Sequence, residues 1–324
     1  MAEAHPAEDL EEGQRHSSHD LDFRRRSLAL AQLASINTSA ANSLHYRHTH
    51  SSSSLNPNSA YSASSPCNAH ADFPMLRPSA QLAQQSPDKP YYPGQEKSLS
   101  GIAERALILG ITLAVGSITM LWTLLATSSP LWRVPFFLSA LSIFHFLEFW
   151  TTAKYNTPNA AVSSFLLNSN GRAYIAAHTS AFVEALLVGL LFPNRQWAPF
   201  HLGSVLIVAG LLLVLAGQAV RSAAMIQCGT NFNHTVQHMR ARGHELVTTG
   251  IYATFRHPSY FGYFWWALGT QLVMGNVVCF FGFAVALWRF FSHRITYEED
   301  FLVRFFGDEY VQYRNTVGTM IPFM

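Results

Sequence analysis

Charge is scarce in this chain of 324 residues: 12% of it is Asp, Glu, Lys or Arg, and the formal net charge is +2. A balance so small and scattered, with no basic stripe, excludes a nucleic-acid-binding surface. Cysteine is nearly as scarce. Cys67, Cys228 and Cys279 cannot build a disulfide framework, and their spacing matches no metal site. Such usage fits working parts that face a reducing cytosol. No cleavable signal peptide is expected either, because the opening MAEAHPAEDLEE is acidic and no apolar core follows it. The first apolar span then acts as an uncleaved anchor.

Apolar residues are abundant instead, at 49% of the chain. Four runs, Ala106–Ala126, Leu131–Trp150, Ala173–Phe192 and Phe200–Val220, each hold about 20 residues, enough to cross a ~30 Å hydrocarbon core. A fifth block, Tyr260–Phe291, is too long for one span and breaks at Gly275-Asn276, a turn signal. Its halves, about 15 residues each, suggest a tilted hairpin that stops short of a full crossing. The fold class is therefore an all-α integral membrane protein with about six transmembrane helices. Residues 1–100, rich in Ser, His and Ala, lack the aliphatic residues to bury a core and are expected to be a disordered tail. Residues 101–221 form a four-helix membrane region, and residues 222–324 the region that carries chemistry. Under six spans Arg105, Lys154, Arg172, Arg221, Arg240, Arg242, Arg256, Arg294, Arg304 and Arg314 fall on one side. Arg195 and Arg133 are left on the other. That bias puts both termini in the cytosol.

Polar side chains crowd into the last quarter: NFNHTVQ (231–237), HELVTTGIY (244–252), RHPSY (256–260), RITYEE (294–299), then FGDEYVQYR and IPF. Ionisable groups beside membrane spans are costly to keep and point to function. Arg294 and Glu298 lie one helical turn apart. They are either a surface ion pair or a cation and an anion that address two differently charged ligands. Pro258 suits the first turn of a helix, whose free N–H groups attract a carboxylate or phosphate; a helix start capped by interfacial polar groups is the plainer reading. Tyr252 and Tyr260 could equally belong to an aromatic belt. His234 and His238 could share a metal with His244 or His257, but without a nearby Glu or Cys the signal is weak and no metal is expected. His145, Glu148, His178 and Glu184 lie within spans and either pair across the bundle or line a substrate path.

The order and spacing of NFNHTVQ, HELVTTGIYATFRHPSYFGYFWW, GTQL, WRFF, EE, FFGDEYVQYR and IPF closely resemble the isoprenylcysteine carboxyl methyltransferase family over about residues 220–324. The resemblance implies an endoplasmic-reticulum membrane enzyme with a cytosolic C-terminal cofactor-binding region. It would methylate the C-terminal carboxylate of proteins bearing farnesyl or geranylgeranyl cysteine, with S-adenosylmethionine as donor. Six spans look like the fungal members. Carried over by position, the cofactor contacts fall on Gln237, His244, Glu245, Leu246, Val247, Tyr252, His257, Pro258, Ser259, Tyr260 and Glu298, and the catalytic, substrate-binding arginine on Arg294. Ile295-Thr296-Tyr297 stands where the family often has an acidic run, which leaves the register of Glu298 against Glu299 open. Two other classes compete. A phospholipid N-methyltransferase would need a base or a neutral amine and fewer spans. A transporter or scaffold would spread charge through the spans, whereas here it gathers at one end. Deleting residues 1 to about 95 is expected to leave methylation largely intact, checked by methyl transfer in membranes that contain equal amounts of the truncated chain.

Overall fold

The computed structural model describes residues 88–127, 129–167, 169–192 and 202–324; the disordered-tail reading of residues 1–87 lies outside the described residues. Among the described residues every regular element is helical. The α-helices are α1 Leu99–Ala126, α2 Arg133–Tyr155, α3 Gly171–Leu191, α4 Leu202–Cys228, α5 Pro258–Met274, α6 Val278–Phe306 and α7 Asp308–Thr316. Five of them, α1 to α4 and α6, are long and apolar enough to cross a membrane. The outward face of α1 is apolar along its length, with Leu107, Ile111, Val115, Ile118, Trp122 and Leu125 all exposed, as a lipid-facing helix requires.

Segment Asp88–Ser98 is not loose. The Glu96 carbonyl accepts from Val162 N at 2.8 Å, Lys97 Nζ donates to the Pro158 carbonyl at 2.6 Å, and Lys97 N donates to Pro90 O at 3.1 Å. Ser98 then caps α1, its Oγ accepting from Gly101 N at 3.1 Å. A truncation that tests the tail is therefore best cut ahead of Asp88.

The hairpin turns at Gly275-Asn276, where Gly275 takes φ +68° and closes α5. Its two arms are unequal. α5 has 17 residues but α6 has 29, about twice the expected half-block. Counting apolar residues stops at Phe291, where charges begin. The helical period does not stop there: Phe291, Ile295 and Glu299 continue one buried face down α6. That extension carries Arg294 and Glu298 out to the site.

The tightest contact in the bundle is between α4 and α5, which run antiparallel with backbone nearly touching backbone. A Cβ on Gly217 would lie 2.6 Å from the Gly262 carbonyl oxygen and from Trp266 N, and one on Gly210 would lie 2.8 Å from the Gly269 oxygen. The reciprocal clashes occur at Gly262 and Gly269. Small residues at such crossings let two helices approach closely where lipid offers no hydrophobic drive. Gly217→Ala and Gly262→Ala should each cost about 1–3 kcal/mol through overpacking. Thermal unfolding in detergent should show both losses, with Gly110→Ala, a site with open space around it, unchanged within error.

Candidate active site

Two buried carboxylates organise the polar end of the bundle. The first, Glu148 on α2, is 1% exposed and takes both Nε and Nη2 of Arg221 on α4, the latter at 2.8 Å. Arg221 spends its remaining nitrogen on α5, donating Nη1 to Ser259 Oγ at 3.0 Å and to the Ser259 carbonyl at 3.2 Å. Every nitrogen of Arg221 is thus engaged. The second carboxylate, Glu299, accepts from Arg256 Nε at 2.6 Å and lies 3.0 Å from His257 Nε2. Arg256 Nη1 also reaches the Val317 carbonyl at 2.6 Å. Pro258 opens α5 as its first residue, so this clamp fixes the helix N-terminus.

The connection between α4 and α5 drapes over this end and is pinned at several points. Gln227 donates Nε2 to the Thr249 carbonyl at 2.6 Å and accepts from Ile251 N at 2.9 Å. Tyr313 on α7 donates to the Tyr252 carbonyl at 2.6 Å. Arg240 donates to the Phe305 carbonyl at 2.9 Å, satisfying the C-terminal end of α6. Burial pushes the Tyr313 hydroxyl up to about 12 and raises Tyr252 well above the usual tyrosine range, so both stay protonated donors.

Two cavities result. Every residue expected at the cofactor, from Gln237 through His244–Val247, Tyr252 and His257–Tyr260 to Glu298, lines one of them. Phe301, Leu302 and Phe305 from the α6 extension and Tyr310 and Tyr313 from α7 complete its wall. Arg294 lines the other, about 530 Å³ in volume, which runs between α3 and α6 past Tyr174, Ala177, His178, Gly282, Phe283, Leu287 and Phe290. Phe232, Asn233, Ser259 and Tyr260 belong to both.

Arg294 and Glu298 do not meet directly. Tyr260 stands between them: its hydroxyl accepts from Arg294 Nε at 2.8 Å and donates to Glu298 Oε2. Arg294 Nη2 is held by the His234 carbonyl at 2.6 Å. Of the two neighbouring glutamates, Glu298 faces the cavity while Glu299 clamps Arg256 and His257. The span carboxylates pair across the bundle. Glu184 on α3 accepts from the N–H groups of Val277, Val278 and Cys279 at 2.7, 2.9 and 2.7 Å, capping α6. His145 Nε2 meets Tyr174 OH at 2.9 Å, and His178 lies on the cavity wall stacked at 5.8 Å on Phe137. The histidines read as metal candidates stand apart: His234 beside Glu148 and Thr152, His238 against Tyr297 and Phe301, His244 against Phe306. Among the described residues no group of three or more His, Cys, Asp or Glu is placed to hold a metal ion.

The model of the isoprenylcysteine carboxyl methyltransferase family matches residues 209–304, which run from within α4 to near the end of α6 and supply part of the lining of both cavities. The protein-S-isoprenylcysteine O-methyltransferase of Saccharomyces cerevisiae is 48% identical over 58% of this chain and 79% of its own length. The chain belongs to the isoprenylcysteine carboxyl methyltransferase family. The Homo sapiens relative of the same name is 40% identical over 69% of this chain and 75% of its own. A solved structure, the eukaryotic intramembrane Ras methyltransferase ICMT, superposes with a TM-score of 0.62 at 36% identity, covering 69% of this chain and 76% of that one. This methyltransferase thus modifies an isoprenylcysteine carboxyl group with a methyl donor in a membrane setting. Membership sets aside the N-methyltransferase and scaffold readings.

Sequence reading missed the Arg221–Glu148–Ser259 network of this methyltransferase, although Glu148 as a carboxylate inside a span was its signal. It also missed His234 as part of the arginine's support. Burial pushes the His234 imidazole down to about 4 despite Glu148 at 3.7 Å, so it is neutral near pH 7. A folded pKa depressed below the unfolded ~6.5 contributes stability that is intact above pH 6.5 and lost as pH falls toward 4. The full shift is worth up to roughly 3 kcal/mol. Thermal unfolding between pH 7 and 4 should therefore fall more steeply for the parent than for His234→Gln.

Proposed function

We propose that S-adenosylmethionine binds in the cavity of Glu298 and that the prenylcysteine binds in the cavity of Arg294, carboxylate on the guanidinium and prenyl chain between α3 and α6. The observation that carries this reading is the shared wall at Tyr260: the charged ends of the two cavities face each other across one side chain. The donor set suits the cofactor. Glu298 offers an anion to a sulfonium, the first turn of α5 offers N–H groups to a carboxylate, and Tyr252, Phe301 and Phe305 offer rings. At about 130 Å³ that cavity is below the ~300–1,000 Å³ usual for such a ligand. Its outer wall includes Gln237, whose Nε2 bonds only to Thr235, and Glu245, whose N–H bonds to Asn231 of the same loop, so any enlargement of the cavity falls first on these two residues.

When bound, the cofactor supplies an electrophilic methyl on a sulfonium. The residues need not move a proton, because a C-terminal carboxylate with a reference pKa of about 3.5 is already ionised. Arg294 orients it, with Nε on Tyr260 and Nη2 on His234 limiting the guanidinium to one plane. Phe290, Phe291, Tyr263 and Phe283 keep water from the prenyl side. Alignment and desolvation are then the means of catalysis. The Lys and Arg bias supports a cytosolic site, and the family supports the endoplasmic reticulum as its membrane.

Arg294→Ala should lower methylation of N-acetyl-farnesylcysteine at least tenfold, since a charge-assisted contact is worth roughly 1.5–3 kcal/mol. Its cofactor affinity should change little. Glu298→Gln should instead weaken cofactor binding by calorimetry in nanodiscs. Arg294→Lys should rescue in part, lacking the planar fork. Turnover and affinity within about twofold of the parent in both Arg294→Ala and Glu298→Gln would sink the assignment.

A further inference from the structure

Of the four residues common to both cavities, Tyr260 alone places its polar atom between the two charges. Its ring is clamped: it stacks on His257 at 5.4 Å and on Phe291 at 5.0 Å, so the hydroxyl cannot swing away. That hydroxyl uses one lone pair for Arg294 Nε and its proton for Glu298. Arg294 also lies over the Tyr260 ring, 5.4 Å from its centroid. The three side chains form one relay, cation to hydroxyl to anion, and the relay has no net charge.

On the reading that the carboxylate goes to Arg294 and the cationic donor to Glu298, we propose that Tyr260 is a positioning residue that couples the two ligands, each tightening the other. Charge balance sets the sign. A carboxylate alone leaves the relay at −1, a cation alone leaves it at +1, and both together restore zero. In a cavity walled by aromatic rings such an imbalance is costly, because Coulomb energy rises as the dielectric falls. The hydroxyl transmits the change. While Arg294 is unopposed it polarises the Tyr260 O–H toward Glu298 and partly neutralises that carboxylate. A carboxylate on Arg294 offsets this pull and returns charge to Glu298, which then holds a cation more strongly. Reciprocity requires the same factor in the other direction. Methyl transfer erases both ligand charges, leaving an ester and a thioether, so the coupling ends with the reaction and the relay closes behind two neutral products.

The test is calorimetry on the full chain in nanodiscs with unreactive pairs. Sinefungin carries an amine cation in place of the sulfonium, and S-adenosylhomocysteine is neutral there. N-acetyl-farnesylcysteine carries the carboxylate, and its methyl ester does not. Saturating N-acetyl-farnesylcysteine should tighten sinefungin at least about fivefold and S-adenosylhomocysteine less than about twofold, while the methyl ester tightens neither. Tyr260→Phe, which keeps the ring, should bring the sinefungin factor below about twofold. Equal factors for the charged and neutral ligands in the parent would overturn the proposal whether or not the variant folds; so would a fivefold factor that survives in Tyr260→Phe. Failure of the underlying site reading looks different: N-acetyl-farnesylcysteine would bind Arg294→Ala, and sinefungin would bind Glu298→Gln, as tightly as the parent.

Discussion

The Arg221–Glu148 pair is the constraint on which the polar end of this molecule depends. Two opposite charges sit inside a helical bundle, where each alone would be intolerable, and they stand because the contact is two-pronged and the third nitrogen finds Ser259. Removing one partner of such a pair costs about 3–5 kcal/mol, since the other is left buried and uncompensated. The pair ties α2, α4 and α5 together at one level. It also lies next to the loop that holds Arg294. Glu148 stands 3.7 Å from His234, and the His234 carbonyl holds Arg294. The pair thus adjoins the residue whose backbone carbonyl holds Arg294.

Consecutive residues on one helix do opposite jobs here. Glu298 and Glu299 point about 100° apart, as adjacent positions on an α-helix must. Glu299 turns inward to Arg256 and His257 and fixes where α5 begins. Glu298 turns to the cavity and to Tyr260. The buried clamp sets the position of Pro258–Tyr260, and that position sets where the half-buried Glu298 carboxylate finds its hydroxyl.

Much of this was legible in the residues. Long apolar runs give away α1 to α4, because lipid demands their length and composition, and Gly275-Asn276 marks the hairpin by turn chemistry. The cavity around Glu298 was legible because its polar residues crowd into one quarter of the chain. What stayed hidden depended on distance and on period. Glu148 and Arg221 are 73 positions apart, and nothing local says which of several buried polar groups each will meet. The glycines at 210, 217, 262 and 269 read singly as weak helix formers; their meaning comes from two helices crossing. The turn of α6 at Arg294 and Glu298 was read as helix, but its full length to Phe306 was missed because hydropathy was counted where helical phase should have been followed, through Ile295 and Glu299. Tyr260 was legible as a site residue but not as a shared wall, which is a property of two cavities at once.

Glu184 gives the larger cavity a mechanical character. Three backbone N–H groups at the start of α6 close on this one carboxylate from α3, and Asn276 adds a bond to the Ala181 carbonyl at 2.9 Å. The two helices are riveted at that end, while at the other, where Arg294 lies, α6 is held by Tyr260, by the His234 carbonyl and by the Glu299 clamp. From Val278 to Arg294 the arm is about 24 Å long at 1.5 Å per residue. On such a lever a tilt of about 5° moves the far end by roughly 2 Å, close to the width of a methyl group. Bilayer thickness acts on helix tilt, so a tilt of α3 relative to α6 about this rivet would change the gape of the cavity.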